Sequence, residues 1–324
     1  MRADVPSFTT AIAPANAASI AEAAALIRDG KLVAFPTETV YGLGANALDD
    51  FAVSAIFAVK ERPRFNPLIV HVLDRTEAVE IVSFNAMARA LADAFWPGGL
   101  TLVLPRREPS PLALLVSAGL DTAAVRSPSH EIARALLDAS GVPIAAPSAN
   151  RSSRISPTTA ADVAEELAGR VNLILDGGPC PIGLESTVVG FENEKPVLLR
   201  AGAIPSTDIV RVAGPLGQAR SDMIQSPGQM VSHYAPKARL RLNARDVREG
   251  EALLAFGSDI PPGAVAMRNL SVKGDVREAA ANLFAMLRSI DKSGASSIAV
   301  MPIPNIGLGE AINDRLNRGA APRA

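Results

Sequence analysis

The sequence predicts an α/β protein, with a mixed, twisted, open sheet of α+β type followed by a second, smaller Rossmann-like α/β domain. Three observations predict it. Short apolar runs that read as buried strands alternate with amphipathic helical segments along most of the chain. The alternation pauses once, over residues 205–238, where Pro, Gly, Ser and Gln dominate and little periodicity remains. It then returns as a shorter series of apolar runs and helices, the pattern of a parallel sheet. The expected division is a first domain over 12–204, a linker over 205–238 and a second domain over 239–324.

Residues 1–18 read as a lead-in without regular structure. Ser19-x-x-Glu22 has the form of a capping box, with Ile20, Ala24 and Ile27 on one helical face and Gly30 as the stop. An apolar strand over 31–35 is closed by Pro36, and 37–45 reads as a turn. Asp49 and Asp50 start a helix through Lys60, which Pro63 ends, and 68–73 is the next strand. A helix over 86–95, the turn signal Trp96-Pro-Gly-Gly and a strand over 100–104 follow. Extended residues 121–126, a helix over 131–139 and a strand over 142–146 lead into Pro147-Ser-Ala-Asn150. A helix over 159–168, a strand over 171–175 and an antiparallel pair, 186–191 with 197–200, complete the first part. In the second, RLRL, ALLAFGS and AVAMRNL precede a helix over 276–290, a strand over 297–301 and a terminal helix after Gly309.

Composition narrows the function. The 324 residues carry 32 basic and 33 acidic side chains, a net charge of −1, so no stable nucleic-acid partner is expected. The single cysteine, Cys180, excludes an intramolecular disulfide and a Cys-rich zinc site. A His-based metal site would need nearly all of His71, His130 and His233, and no protein-held metal is expected. No apolar run has the length of a membrane span and the N-terminus lacks an apolar signal core, so the expectation is a cytoplasmic protein with no membrane partner.

Candidate site residues share one pattern: hydroxyls or cations at the edge of an apolar strand. Thr37, Thr39, Tyr41, Gly42 and Gly44 follow the strand over 31–35. They read either as a turn whose hydroxyls satisfy its own backbone or as a ligand loop. Gly42-x-Gly44-x-x-Ala47 matches a dinucleotide fingerprint only loosely, and no Walker A loop is present. Lys60, Arg62 and Arg64 follow a helix C-terminus, either as a dipole-compensating cluster or, stiffened by Pro63 and followed by Asn66, as a phosphate clamp. His71 is either a satisfied core histidine or a ligand group on an apolar strand. Arg126, the segment Ser148 to Ser156 with Asn150, and Ser186 with Arg200 repeat the pattern, which points to one anion-lined cavity.

Taken together, PTETVYGLG, KERP followed by NPLIVH, AVRSPSH, APSANRSSRISPT, ESTVVG and LLRAGAI resemble the Sua5/YrdC/YciO family in order and spacing. SPGQMVSHYAPKA and NIGLGEAINDRLNRGA resemble its longer, Sua5-type members, which carry an extra C-terminal domain. The resemblance covers the chain from about residue 20 to residue 320. It implies a YrdC-like domain enclosing a large positive cavity, a linker that folds over it as a lid, and a C-terminal domain. It also implies synthesis of L-threonylcarbamoyladenylate from L-threonine, bicarbonate and ATP with release of pyrophosphate, the first step of the N6-threonylcarbamoyladenosine modification of tRNA. Proteins of the later threonylcarbamoyl transfer to tRNA are then possible partners.

Carried over by motif, Thr37 or Thr39, His71, Arg126 and Ser186 would hold threonine, with Ala146 contributing its backbone. Lys60, Arg62, Asn66, Thr122, Ser148, Asn150, Ser156, Arg200 and Tyr234 would hold ATP. Mg²⁺ would ride on the phosphates. Lys60 and Arg62 would carry catalysis by neutralising charge, since such a reaction needs positioning more than a covalent nucleophile. Two other classes are weighed against this. An RNA-binding or ribosome-associated factor would use the basic cavity, against which the charge balance and the 4% aromatic content count. A hydrogenase-maturation carbamoyltransferase would carry Cys-rich zinc modules, which one cysteine excludes.

Overall fold

The computed structural model describes residues 9–218 and 233–322. The first part contains strands β1 (Ala11–Pro14), β2 (Val33–Phe35), β3 (Gly42–Asn46), β4 (Ile69–His71), β5 (Leu100–Pro105) and β6 (Thr122–Arg126). It continues with β7 (Ile144–Ala145), β8 (Leu173–Asp176), β9 (Thr187–Glu192), β10 (Lys195–Arg200) and β11 (Gly217–Gln218). Its helices are α1 (Ala17–Arg28), α2 (Asp50–Lys60), α3 (Arg75–Ala78), α4 (Ala86–Phe95), α5 (Glu131–Ser140), α6 (Ala160–Leu167) and α7 (Ser206–Ala213). The second part holds β12 (Arg239–Arg241), β13 (Ala252–Ala255), β14 (Met267–Asn269), α8 (Val276–Asp291), β15 (Ser297–Val300) and α9 (Leu308–Ala320).

Among the described residues β1 to β11 form one mixed sheet in the order β1-β8-β2-β3-β7-β4-β6-β5-β9-β10-β11. A second sheet, β12-β15-β13-β14, is parallel at each pairing. The expected fold class therefore holds for both parts.

Strand alternation sorts the two faces of the large sheet and so places the site. Val70 of β4, Val125 of β6 and Leu102 of β5 turn into the main core with the apolar stripes of α2 and α4. The alternate positions Ile69, Ala124 and Val103 lie on the other face with Val188, Val197 and Leu199. On that face α1 and α5 cover Val33, Phe35, Ile144 and Leu173, but no helix contributes to the cluster around Ile69 and Ala124. His71 and Arg126 share the parity of Ile69 and Ala124, and they are paired directly in the β4–β6 register. Two polar side chains thus stand side by side over an apolar floor. The second part closes the space above them, as Val40, Ile155 and Leu184 join Tyr234 and the inner faces of α8 and α9 in one cluster.

Four expectations need correction. Residues 11–14 form an edge strand on β8, where a lead-in was expected; four mostly exposed residues ending in Pro14 carry little pattern. Helix α1 is capped by Asn16, whose Oδ1 accepts from Ala18 and Ser19 N–H, while Ser19 Oγ accepts from Asn16 N–H, so Ser19 is the third helical residue and not the cap. Gly42 and Gly44 lie in β3, antiparallel to β2, and not in a turn. A Cβ on Gly44 would meet the Phe35 ring at 2.8 Å and Ile144 Cγ2 at 2.9 Å, so this glycine serves core packing rather than approach to a phosphate. Finally, the expected linker begins with regular structure: α7 buries Ile209 in the main core and β11 extends the large sheet alongside β10. Residues 219–232 of that linker lie outside the described residues.

Candidate active site

The turn after β2 opens the site. Thr37 Oγ1 accepts from the N–H groups of Thr39 (3.1 Å) and Val40 (3.2 Å) and donates to Val40 O at 2.7 Å. Its hydroxyl is consumed locally, as the turn reading expects. Thr39 Oγ1 accepts instead from Arg126 Nη1 at 2.9 Å. Arg126 also donates through Nε to Gly98 O at 3.1 Å, and its Nη2 lies 2.5 Å from Glu38 Oε1. A guanidinium has five N–H donors, two on each terminal nitrogen, so donors remain on both for a further acceptor such as a carboxylate. Burial by itself acts to raise the Glu38 carboxyl, but the Arg126 charge and hydrogen bonds outweigh it and hold Glu38 below the usual carboxylate range.

His71 completes this end. Burial, reinforced by Arg126, pushes its imidazole down to about 3, so the ring is neutral at ordinary pH. Its Nδ1 is buried with no hydrogen-bond partner among the described residues, and its ring meets Phe35 edge-on. An unpaired buried polar atom is costly, and a ligand at this position would satisfy it.

The other end is cationic. Lys60, at the last turn of α2 and 1% exposed, donates to Ser148 O at 2.6 Å and to Asn150 O. Arg62 donates to Asn66 O at 3.1 Å and Pro67 O at 2.7 Å, and burial pushes its guanidinium down to about 9. Burial also drives the Lys60 ammonium well below its usual value, with the Arg62 charge adding to the effect. Glu61, in the left-handed region at φ 53°, ends α2 and turns the chain so that Lys60 and Arg62 can both point inward. Arg200 donates to Ser186 O at 2.9 Å and to Ser186 Oγ at 3.1 Å, and Ser186 Oγ lies 2.7 Å from Thr101 Oγ1. Ser156 donates to Glu185 Oε1 at 2.5 Å.

Thr37, Thr39, Arg62, His71, Arg126, Ala146, Ser148, Ser186, Arg200 and Tyr234 line one cavity. Lys60, Asn66, Asn150 and Ser156 sit in a layer behind it, attached through the bonds above or, for Asn150, through Arg151 O and Arg154 O. Thr122 starts β6, about 13 Å of strand from Arg126, and is outside the lining. Glu38, Glu185 and Arg315 escaped the sequence reading. The first two had a signal, a carboxylate beside candidate hydroxyls in PTET and EST, whereas Arg315 is brought in from a distant helix. The cavity is smaller than the resemblance implied. Its volume is about 50 Å³, against roughly 300–1,000 Å³ for ligand pockets generally, and His233 and Tyr234 are part of its lining. Among the described residues no group of three or more His, Cys, Asp or Glu is placed to hold a metal, and no helix is long and apolar enough to cross a membrane.

Residues 25–202 match the Sua5/YciO/YrdC family model, described as telomere recombination, and residues 203–321 match the threonylcarbamoyl-AMP synthase C-terminal domain. The threonylcarbamoyl-AMP synthase of Pyrococcus abyssi is 43% identical over 93% of this chain and 94% of its own. That of Bacillus subtilis is 41% identical over 95% of this chain and 94% of its own. The crystal structure of P. abyssi Sua5 complexed with L-threonine superposes with a TM-score of 0.88 at 40% identity, covering 96% of this chain and 97% of that one. The chain belongs to the Sua5/YciO/YrdC family, in the form that carries the threonylcarbamoyl-AMP synthase C-terminal domain.

Proposed function

We propose that the protein is a nucleotidyltransferase that makes L-threonylcarbamoyl-AMP and pyrophosphate from L-threonine, bicarbonate and ATP, for tRNA modification. One observation carries the reading from geometry: Lys60 and Arg62 are buried, at 1% and 9% exposure, and among the described residues their hydrogen bonds go to backbone carbonyls. Burying a cation away from a counter-charge costs several kcal/mol. A ligand with several negative charges removes that cost, and a triphosphate is such a ligand. The relatives named above support the same activity.

In this reading L-threonine lies at the Arg126 end. Its carboxylate takes the remaining donors of Arg126, and Thr39, Thr37, His71, Ser186 and the Ala146 backbone surround the rest. The amine attacks bicarbonate carbon, water leaves, and a carbamate results. ATP lies toward Lys60, Arg62, Asn66, Ser148, Asn150, Ser156, Arg200 and Tyr234, with Thr122 within reach only of a group laid along β6. A carbamate oxygen attacks the α-phosphorus, the bond to the bridging oxygen breaks, and pyrophosphate leaves with the displaced electron pair. Lys60 and Arg62 neutralise the charge that accumulates on the leaving group. Neutral His71 adds no cation beside Arg126, so the amine of threonine keeps its nucleophilic form more readily. Mg²⁺ enters on ATP; the chain's carboxylates nearest the site, Glu38 and Glu185, are already paired with arginines.

Because the cavity holds only about 50 Å³, His233 and Tyr234 must lift for substrates to enter and return to exclude water. We take residues 12–204 as the catalytic domain, 205–238 as the linker, with α7 and β11 packed on the first part and the lid at His233 and Tyr234, and 239–324 as the C-terminal domain. The buried position of the cations weighs against the RNA-binding alternative, which needs them on an accessible surface. Pyrophosphate release by purified protein, with ATP, Mg²⁺, bicarbonate and L-threonine each omitted in turn, tests the reading. Release that requires all of them supports it; release without threonine, or none from folded protein, refutes it.

A further inference from the structure

Arg315 of α9 is 1% exposed, yet it belongs to the second part of the chain and has no place in the chemistry above. Its Nε donates to Glu185 Oε2 at 2.8 Å, and its Nη2 donates to Ala201 O at 2.9 Å. Its guanidinium carbon lies 5.1 Å from the centre of the Tyr234 ring. Glu185 in turn accepts from Ser156 Oγ through its other oxygen. One side chain from the C-terminal domain therefore holds Ala201, next to Arg200, and Glu185, the partner of Ser156, and packs against the Tyr234 ring.

A second arginine repeats the arrangement. Arg288 of α8 donates to Ile155 O at 2.7 Å, next to Ser156, while Glu166 and Asp162 of the first part lie 3.2 Å and 3.4 Å from it. The pair formed by Lys292 and Glu165, at 2.7 Å, also joins the two parts but is exposed and reaches no cavity residue. If docking were the whole purpose, exposed pairs of that kind and the apolar cluster would suffice. Taking Arg315 out of water is worthwhile only if its fork fixes something, and what it fixes is the side of the cavity bearing Ser156 and Arg200.

We propose that Arg315, acting through Glu185, is a positioning residue by which the C-terminal domain sets the nucleotide half of the cavity. The inference rests on the function proposed above. It makes the C-terminal domain part of the ATP site without giving it a contact to the reacting atoms, and it predicts that the two substrates respond differently when the link is cut.

Steady-state kinetics of Arg315→Met, Arg315→Lys, Glu185→Gln and the Arg315→Met/Glu185→Gln double variant, with Lys292→Ala as the docking control, test it. Arg315→Met is expected to raise KM for ATP about tenfold or more, leaving KM for L-threonine within about twofold. Glu185→Gln should do the same, and the double variant should lose little more than either single one. Arg315→Lys, which keeps the charge without the fork, should recover part of the effect, and Lys292→Ala should match wild type. Should Arg315→Met not fold, Arg315→Lys and the near-isosteric Glu185→Gln read the same split. Equal changes in both KM values, additive losses, or a lowered Tm with unchanged kinetics would overturn the proposal. Active wild-type enzyme with such results refutes the positioning role alone, whereas wild type that releases no pyrophosphate refutes the function and the role together.

Discussion

Replacing Glu38 by glutamine removes one charge and almost no volume from the amino-acid end of the cavity. Glu38 and Arg126 are 6% and 3% exposed, so water screens their interaction little. Removing one partner of such a pair costs about 3–5 kcal/mol, because the other charge stays buried. Glutamine keeps an oxygen that can accept from Arg126, which places Glu38→Gln near the lower figure, about 3 kcal/mol. At roughly 2–4 °C for each kcal/mol in a large domain, the ligand-free variant should melt about 6–12 °C below wild type. L-Threonine brings a carboxylate to the same guanidinium, so the rise in Tm on adding threonine should be larger in the variant than in wild type. The pH dependence has a definite sign. Because the folded carboxyl sits below its ordinary value of 4.5, its stabilisation is present above that value and is lost as pH falls through the lower folded one. The gap between wild type and variant should therefore persist at neutral pH and narrow only in acid. Thermal unfolding followed by circular dichroism, with and without threonine, measures all of this. A Tm difference under about 2 °C, or a smaller threonine shift in the variant, would refute the reasoning.

Arg62→Ala should leave the protein folded and lower kcat/KM for ATP about 100-fold, the equivalent of one or two charge-assisted hydrogen bonds. Kinetics with ATP varied would show it, and a loss under about threefold would contradict the clamp. His71 is pushed down to about 3, so the native ring resists protonation that the unfolded chain accepts below 6.5. Stability should thus fall as pH drops below about 6.5, and urea unfolding of His71→Gln should show a shallower decline across that range. Gly183, at φ +72°, has no room for a Cβ, which would come within 2.6 Å of Ala281 O and 2.7 Å of Ala280 O. Gly183→Ala should push α8 away from the first part and cost about 1–3 kcal/mol, read as a lower urea midpoint and faster proteolysis between the two parts.

Which parts of this molecule were readable in its sequence follows from how local the signals are. Helices α2, α4 and α8 carry long periodic stripes, and they lie close to where periodicity puts them. In the second sheet β13 and β15 are buried apolar runs and were readable as central strands, while β12 and β14 are edge strands with exposed residues. β3 was not readable, since Gly42-Leu-Gly-Ala-Asn46 lacks β-branched residues and becomes a strand by pairing with β2 and β7, where Gly44 leaves room for the Phe35 ring. Helix α7 hid in a stretch rich in Pro, Gly and Ser, where the burial of Ile209 and Ala213 against the core shows why it forms. The site followed the same rule. Hydroxyls and cations at strand ends were visible as a repeated local pattern, and ten of the expected residues line one cavity. The Glu185–Arg315 link spans 130 residues of sequence and joins two parts of the fold, so no local pattern could announce it. The small volume of the cavity was not legible either, because it depends on where Tyr234, packed against Phe284 and Arg315, comes to lie.

The central claim is that one cavity joins threonine, bicarbonate and ATP into a single product. Incubation of the wild-type protein with carbon-13 bicarbonate, L-threonine, ATP and Mg²⁺, followed at once by mass spectrometry, tests it most directly. The account predicts a threonylcarbamoyl-AMP ion that carries the heavy carbon and forms in step with pyrophosphate. AMP and pyrophosphate appearing with no labelled adenylate, under conditions where authentic product survives, would contradict it.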